Sequence, residues 1–399
     1  MTFSRYPIGT IVVAQLLGTS LWFSPNSAAE SLVQAWGIAT PQLGQLTSAV
    51  QLGFIAGTLL LATSGLADRF PASRIFCIAS VLGAAFNATF ALVPISFDQA
   101  LLVRAAVGVC LAGIYPLGMK MVISWSKGNA GKTLGLLVAM LTMGTALPHG
   151  VRAVGAAWSW QTVVMTSSVL ALVGGLLIAL LGDGPHLRNA AAPRRHSWGA
   201  ALTVFREPAF RAAAMGYFGH MWELYAFWAV APFLVAYVLN VGGGDGHHVA
   251  SLITFAVIAS GALGCVCAGL MSQRFGSARV AASALALSGS MCLIFPIAAH
   301  HGSPVFSIAV LLIWGVSVIA DSAQFSALSA QACPPHLLGS ALAIQNSIGF
   351  LITVLPITMA VGAVGKMGPD VAWLLLPGPV VGLVFLRRLV YSDMRRQIG

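Results

Sequence analysis

The 399-residue chain is 58% hydrophobic and 8% charged, with 20 Lys and Arg residues against 10 Asp and Glu residues. A soluble domain carries about 25% charged residues, so this composition excludes a soluble globular protein and indicates a chain embedded in a bilayer. The formal net charge of +10 does not indicate nucleic-acid binding, because the chain has no basic helix with interleaved aromatic residues.

Twelve apolar runs are long enough to cross a bilayer, which takes about 20 residues. They predict an all-α integral membrane protein. The predicted helices cover residues 6–27, 41–67, 73–93, 99–125, 132–157, 160–181, 209–239, 249–272, 278–299, 305–332, 338–364 and 371–389.

The positive charges are distributed asymmetrically between the predicted loops. Of the 20 Lys and Arg residues, all but Arg104, Lys120, Arg152 and Lys366 fall on one face. Because positively charged loops stay in the cytoplasm, both termini are predicted to be cytoplasmic. We expect a multi-pass protein of the bacterial cytoplasmic (inner) membrane, acting as a monomer.

A polar segment interrupts the apolar runs between the sixth and seventh predicted helices. It contains Pro185, Arg188, Pro193, Arg194, Arg195, His196 and Arg206. Its composition predicts a cytoplasmic linker over 184–208, between an N-terminal half at 1–183 and a C-terminal half at 209–399. A patch that binds lipid head groups is the alternative interpretation.

The sequence carries no signature of catalysis or of a bound cofactor. It has no Walker motif, no His-Glu-x-x-His and no nucleophile elbow, so neither ATP hydrolysis nor intramembrane catalysis is expected. The six cysteines lie within or at the edges of apolar runs, where neither disulfides nor a metal site is expected. We therefore expect that the protein is not an enzyme and that it binds neither a cofactor nor a metal.

A short charged segment, GLADRFPASR at positions 65–74, lies between the second and third apolar runs. Charges are costly inside a bilayer, so this segment is predicted to be a tight turn at the cytoplasmic face. A weaker copy, GLMSQRFGSAR, occupies positions 269–279, about half the chain later. Repetition at this spacing indicates two homologous halves.

The two segments resemble the loop signature of the major facilitator superfamily of secondary transporters. The resemblance implies twelve helices in two pseudo-symmetric six-helix halves, each with inverted repeats, and a substrate cavity between the halves. It also implies alternating access by rocking of the halves. The residues to which it gives a structural or gating role are Gly65, Asp68, Arg69, Arg74, Arg104, Pro148 and Arg274.

The seventh predicted helix carries the strongest candidates for proton coupling. Tyr217, His220 and Glu223 recur every three residues and so share one face. Glu223 lies near the expected bilayer midplane, where a charged carboxylate is costly, so it is the predicted proton-coupling residue. His220 would share the proton or hold the carboxylate charged. A permanent salt bridge from Glu223 to a basic residue of the other half is the structural alternative.

The tenth and eleventh predicted helices add polar side chains. Asp321 is predicted to pair with a basic residue on a facing helix or to carry a proton itself. Gln345 and Asn346 would orient a substrate or hydrogen-bond between helices, and Tyr217 and Trp222 are further candidate substrate contacts.

The fourth and fifth predicted helices contain the intramembrane basic residues. Arg104 resembles the superfamily's fourth-helix arginine, with bracing of the first helix as the favoured role. Lys120, a further candidate substrate contact, is predicted to face the cavity or to reach the membrane interface. Pro148 lies in a segment that resembles a reduced form of a fifth-helix motif associated with antiporters. One turn apart, His149 and Arg152 would grip an anion, or Arg152 would extend to the membrane surface.

Together these patterns predict a secondary transporter that moves a small organic solute by proton-coupled alternating access. The excess of intramembrane positive charge favours an anionic solute. The first alternative is a proton-driven exporter of drugs or metabolites, favoured by the aromatic residues Trp22, Phe23, Tyr217, Trp222, Tyr225 and Trp228. The second is a transporter-like receptor that binds a ligand without moving it.

Overall fold

A computed structural model describes residues 6–125, 130–155, 158–185, 202–240, 246–334 and 337–398. All regular structure in these residues is helical. Ten helical stretches are long and apolar enough to cross a membrane, the last of them, Ser340–Tyr391, joining two helices, and Pro7–Thr19 is a shorter apolar helix. The chain is therefore a multi-pass, all-helical membrane protein, and the count of twelve spans remains a prediction.

The predicted linker and the loop between the seventh and eighth predicted helices lie largely outside the described residues. They include Arg188, Pro193, Arg194, Arg195 and His196 of the linker and Gly242, Gly243, Gly244 and Asp245 of the loop. Pro185 and Arg206, near the two ends of the linker, are among the described residues.

The first part of the chain forms eight helices. They are α1 (Pro7–Thr19), α2 (Ala29–Trp36), α3 (Thr40–Ser64), the single turn α4 (Leu66–Arg69), α5 (Ala72–Leu92), α6 (Phe97–Trp125), α7 (Ala130–Val154) and α8 (Trp160–Leu181). A 3₁₀ turn, Asn26–Ala28, precedes α2.

The described residues of the remainder form seven helices and two further 3₁₀ segments. The helices are α9 (Pro208–Val238), α10 (Gly246–Phe275), α11 (Ser277–His301), α12 (Pro304–Val318), α13 (Ser322–Ala332), α14 (Leu338–Met367) and α15 (Pro377–Ile398). The 3₁₀ segments are Val204–Arg206 and Gly368–Leu375.

The chain divides into two compact units. The first comprises Met1–Arg194 and Gly242–Phe255, and the second comprises Arg195–Val241 and Ala256–Gly399. In the first unit, α6 packs against α3 and α5, and α8 packs against α1 and α5. In the second unit, α9 packs against α13, α14 and α15, while α11 packs against α12 and α15. The helix α9 is thus central to the second unit.

Both units contain helices in close backbone contact at glycine residues. In the first unit, a Cβ on Gly53 of α3 would come within 1.9 Å of the Ala105 carbonyl oxygen on α6. In the second, a Cβ on Gly264 of α10 would come within 1.9 Å of the Val316 carbonyl oxygen on α12. Small residues allow this approach between membrane helices, so a larger side chain at either position would separate the pair.

Two predicted helices are broken. The first predicted helix, 6–27, ends as an α-helix at Thr19 and continues through turns to Pro25, which has no N–H group to offer a helix. In these turns the hydroxyl groups of Ser20 and Ser24 donate to the carbonyls of Leu17 and Leu21 at 2.7 and 3.2 Å. Such bonds give the backbone an alternative to the helical pattern.

The tenth predicted helix, 305–332, breaks at residues 319–321 into α12 and α13. Asp321 occupies the position before the first residue of α13, and its backbone carbonyl accepts from the N–H groups of Gln324 and Phe325, both at 3.0 Å. Aspartate favours helix starts over helix interiors. The twelfth predicted helix also differs, because residues 368–375 form a 3₁₀ segment and the α-helix begins at Pro377.

Candidate functional site

The helix α9 brings the predicted proton-coupling residues to the interior of the second unit. It is one continuous α-helix of 31 residues that begins with Pro208, a residue well suited to a first helical turn. Tyr217, His220 and Glu223 share a face, as their spacing requires, and all three are buried.

Glu223 accepts hydrogen bonds from two other helices. Its Oε1 accepts from Trp314 Nε1 on α12 at 2.6 Å and from Cys292 Sγ on α11 at 3.5 Å. Its Oε2 accepts from Ser288 Oγ on α11 at 2.9 Å. The carboxyl group is therefore held in one orientation by donors from three side chains. Within the described residues Glu223 makes no ion pair.

His220 pairs with Asp321 and not with Glu223. The distance from His220 Nδ1 to Asp321 Oδ1 is 2.7 Å, and each side chain is only 1% exposed. The two atoms are at ion-pair distance, although their angle is not that of a hydrogen bond. The imidazole lies between the rings of Tyr217 and Phe325, with centroid distances of 6.1 and 5.9 Å. Asp321 thus has the basic partner that the sequence left unidentified.

The contacts of Glu223 suit a carboxyl group in either protonation state. A buried carboxyl group can be neutral or charged, and the Ser288 hydroxyl can either donate to Glu223 or accept from it. The spacing of His220 and Glu223 along α9 corresponds to a rise of about 4.5 Å between their backbone positions.

The other candidate substrate residues of the second unit differ in their surroundings. Gln345 on α14 is 1% exposed, and its Oε1 has no hydrogen-bond partner. Asn346 is half-buried. Trp222 donates from Nε1 to the Leu374 carbonyl at 3.0 Å, in the 3₁₀ segment before α15. Trp222 is therefore anchored to the protein backbone, whereas Gln345 has an oxygen available to a ligand.

In the first unit, Arg104 braces the broken first helix. Its Nη2 donates to the carbonyls of Trp22 and Leu21 at 2.7 and 3.3 Å, and its Nη1 donates to Asn87 Oδ1 at 2.9 Å. Asn87 in turn accepts from Ser24 Oγ at 2.9 Å. The guanidinium group therefore supplies donors to backbone carbonyls that the break leaves without helical partners.

The basic residue near the end of α7 is also engaged by the protein. Arg152 Nη1 donates to the Trp158 carbonyl at 2.6 Å, and Nη2 donates to Ser31 Oγ on α2 at 3.1 Å. His149, one turn earlier, is buried, and its Nε2 has no hydrogen-bond partner. Pro148 lies inside the same helix. The predicted anion-binding role of Arg152 remains a prediction.

The charged segment at 65–74, called the hairpin from here on, is held by Lys120 of α6 and by Asp183, which follows α8. Gly65 has φ +66°, a left-handed conformation that glycine adopts readily and that ends α3. Lys120 Nζ donates to the Ala67 carbonyl, which places this predicted substrate residue at the hairpin. Asp183, after α8, accepts from the N–H groups of Ala72 and Ser73 at 3.1 and 2.8 Å. Sequence reasoning did not identify Asp183.

The remaining gating candidates are at the surface. Arg69 and Arg74 are exposed, and the side chain of Asp68 lies outside the described part of the structure. Arg274, near the end of α10, is exposed, and its guanidinium carbon lies 5.3 Å from the centre of the Phe275 ring. These positions neither support nor oppose a gating role.

Long apolar helices, two of them broken, with ionisable side chains buried in the interior, define an integral membrane protein of the secondary-transporter class. A family model described as Major Facilitator Superfamily matches residues 11–355. The chain therefore belongs to the major facilitator superfamily.

Solved structures of transporters share the fold at low sequence identity. A D-xylose–proton symporter is 16% identical with a TM-score of 0.77, covering 97% of each chain. The nucleoside transporter NupG is 13% identical with a TM-score of 0.73, covering 97% of this chain and 99% of that one. A bacterial homologue of the human lysosomal transporter Spinster, inward-facing and unoccupied, is 16% identical with a TM-score of 0.67, covering 98% and 97%. A search of curated proteins found no match.

Proposed function

We propose that the protein moves a small organic solute across the bacterial cytoplasmic membrane by proton-coupled alternating access, with Glu223 as the main proton-binding residue. The observation that carries the proposal is the burial of Glu223, His220 and Asp321 in one unit without a Lys or Arg partner in the described residues. Charges in a membrane interior are rare and costly, so a group that can shed its charge is favoured there.

The contacts of Glu223 support a proton-binding role more than a permanent clamp. A clamp needs a cation, and the groups that contact the carboxyl are a hydroxyl, an indole N–H and a thiol. These donors stabilise a charged carboxylate, and the hydroxyl also serves the protonated form. Glu223 can therefore change its protonation state during the transport cycle without breaking an ion pair.

The predicted preference for an anion depends on the intramembrane basic residues. Arg104, Arg152 and Lys120 all donate to oxygen atoms of the protein itself. Binding of an anion by Arg152 would require it to release the Trp158 carbonyl and Ser31. These contacts therefore give no support to the predicted preference for an anion.

The test of proton coupling needs no known substrate. Proton release by the purified protein is measured as the pH is raised, for the wild type, for Glu223→Gln and for the matched control Glu207→Gln, which alters an exposed carboxyl just before α9. We expect Glu223→Gln to remove one proton-release step that the control retains. An unchanged titration in Glu223→Gln would contradict the assignment of Glu223.

Export is the second candidate direction. Pro148 and the close contact of Gly144 with the first helix, where a Cβ would come within 2.4 Å of the Leu16 carbonyl oxygen, favour it through the motif associated with antiporters. With the protein in vesicles, solute movement driven by an imposed proton gradient distinguishes the two directions. Opposite movement of solute and protons means export, and parallel movement means uptake.

A further inference from the structure

The first unit contains a half-open cavity of about 420 Å³. Its lining comes from the ends of four helices and from the chain between α5 and α6. Trp36 ends α2, Phe90 lies in the last turn of α5, Phe97 begins α6 and Trp160 begins α8. The volume is within the range of small-molecule sites, about 300–1,000 Å³. None of the candidate residues for proton coupling or substrate binding is among the described lining residues.

Three aromatic rings of the lining pack on one another at one side of the cavity. The ring centroids of Trp36 and Phe90 are 5.2 Å apart. The centroid of Trp160 lies 5.9 Å from that of Trp36 and 6.0 Å from that of Phe90. We call these three residues the aromatic wall. Phe90 and Trp160 are buried and Trp36 is half-buried, so the contacts among the rings hold Trp36 in place beside the cavity.

Backbone carbonyl groups at the end of α5 add polar groups to the lining. Residues 91–95 line the cavity, and their side chains are all apolar. The last four carbonyls of an α-helix have no intrahelical donor. In α5 the Thr89 carbonyl accepts from the N–H group of Val93 at 3.1 Å, but Pro94 has no N–H group to offer the next carbonyl. The three carbonyls after Thr89 therefore remain at the negative end of the helix dipole, where a cation is stabilised.

The charges around the cavity also favour a cation. None of the described lining residues is Asp, Glu, Lys or Arg. The one charged residue that is next to a lining residue in the sequence is Asp98, a carboxylate. The guanidinium carbon of Arg104 lies 5.8 Å from the centre of the Phe90 ring, and Arg104 is not among the lining residues. Phe90 thus already has a cation beside its ring, which leaves Trp36 and Trp160 of the aromatic wall for a ligand.

These groups together specify the chemistry of a ligand. Aromatic ring faces attract a positive charge, and helix-end carbonyls accept hydrogen bonds from N–H groups. A protonated primary amine supplies both the charge and the N–H groups. A quaternary ammonium has no N–H group, an alcohol has no charge, and a carboxylate is repelled by the ring faces and by the helix end. Because the cavity is half-open, an ammonium group in it can keep part of its hydration, which limits the cost of binding a charge.

From this geometry we propose that the cavity binds a protonated primary amine on an apolar body, with the ammonium group between the aromatic wall and the end of α5. The amine can belong to a free solute or to a lipid head group, because both present the same ammonium group. This site goes beyond the proposed transport function and does not depend on proton binding by Glu223.

The first test compares ligands of similar shape and different charge, on the purified full chain in dodecyl maltoside micelles. The probes are phenethylamine, its trimethylated derivative, phenethyl alcohol and 3-phenylpropionate, and calorimetric titration measures their affinities. We expect the amine to bind at least about fivefold more tightly than the alcohol or the trimethylated derivative, and the carboxylate not to bind. No binding of the amine, or equal affinity of amine and alcohol, overturns the proposal. Tighter binding of the trimethylated derivative overturns the role of the carbonyls.

The second test uses variants of the aromatic wall. Trp36→Leu removes a ring and keeps an apolar side chain, and Trp36→Phe keeps a ring that attracts cations less. Trp373→Leu makes the same change at an exposed tryptophan of the second unit. We expect the preference for the amine over the alcohol to fall at least about threefold in Trp36→Leu, less in Trp36→Phe, and not at all in Trp373→Leu. Trp36→Phe is the milder change and decides the test if Trp36→Leu does not fold. An unchanged preference contradicts binding at the aromatic wall.

Short-chain lipids distinguish a lipid head group from a free amine. Dihexanoyl phosphatidylethanolamine carries a primary ammonium group, and dihexanoyl phosphatidylcholine carries a quaternary one on the same body. Displacement of phenethylamine by the first lipid alone supports a lipid head group as the ligand, and displacement by neither supports a free amine. Equal displacement by both lipids contradicts the role of the carbonyls. Loss of proton release in Glu223→Gln is independent of these results, so a failure here leaves the proposed coupling intact.

Discussion

The two units bury ionisable groups in different ways. In the first unit Arg104, which is 1% exposed, donates to Asn87 and to two backbone carbonyls of the broken first helix. In the second, His220 and Asp321 pair with each other, and Glu223 accepts from neutral donors. An arginine in a protein does not lose its proton, whereas carboxyl and imidazole groups can.

The comparison indicates that the partner decides the role of a buried charge. A guanidinium group that donates to backbone carbonyls at a break in a helix is part of the fold, because those carbonyls are outside the regular helical hydrogen-bond pattern. A carboxyl group held by a hydroxyl and an indole keeps two accessible protonation states. We therefore expect substitutions of buried charges in the first unit to affect stability most, and those in the second to affect proton binding most.

The largest expected effect follows removal of Arg104. Arg104→Leu takes away three hydrogen bonds, to the carbonyls of Leu21 and Trp22 and to Asn87 Oδ1. Because bonds from charged groups are worth about 1.5–3 kcal/mol each, we expect a loss of roughly 3 kcal/mol or more in the free energy of unfolding. Thermal unfolding in detergent measures it.

Arg206→Leu serves as the control for this prediction, since Arg206 is exposed, and it should change stability by no more than about 0.5 kcal/mol. Similar midpoints for the two variants would show that Arg104 does not brace the break, and would remove the contrast between the units.

The second prediction tests the link between Glu223 and Trp314. Trp314→Phe removes the Nε1 donor and preserves an aromatic ring against Phe227, whose centroid lies 4.5 Å away. We expect a loss of about 1–3 kcal/mol in the free energy of unfolding. In a Glu223→Gln background the loss should shrink by at least about 0.5 kcal/mol, because the two residues are coupled. Additive losses would mean that the indole packs without supporting the carboxyl.

Much of the fold could be predicted from the sequence, because apolar runs of spanning length have few alternatives in a bilayer. The predicted helix at 160–181 coincides with α8, and the ends of several others differ by only one to three residues. The shared face of Tyr217, His220 and Glu223 also followed from spacing alone, since α9 is one unbroken helix.

The breaks and the partners could not be predicted in this way. The donors to Glu223 come from Ser288 and Trp314, which are 65 and 91 residues away in the chain. Neither glycine nor proline marks the break at 319–321, where Asp321 reaches a histidine on another helix. These contacts depend on how the helices pack, which periodicity does not report.

The third prediction concerns Asp183, which caps α5 beside the charged hairpin. Asp183→Ala removes the acceptor for the N–H groups of Ala72 and Ser73, and caps of this kind are worth about 0.5–2 kcal/mol. We expect faster hydrogen exchange at these two amides and a loss of about 1 kcal/mol. Asp183→Asn keeps an acceptor and should lose less. Unchanged hydrogen exchange in Asp183→Ala would show that Asp183 does not hold the hairpin. Asp183 would then not be a structural brace of the kind that Arg104 provides.

The smallest expected effect is at an exposed histidine–carboxylate pair. His300 Nε2 lies 3.0 Å from Asp370 Oδ1, and these two side chains are 40% and 30% exposed. The pair has the same residue types as His220 and Asp321, but it is not buried. Exposed pairs contribute about 0–1 kcal/mol and weaken with salt, so Asp370→Asn should change the unfolding midpoint little, and less at high salt. Asp321→Asn, in contrast, breaks a pair with 1% exposure and should cost more than Asp370→Asn, about 1–3 kcal/mol. If the two Asn variants lost equal stability, burial would not be what distinguishes the pair in the second unit from the exposed one.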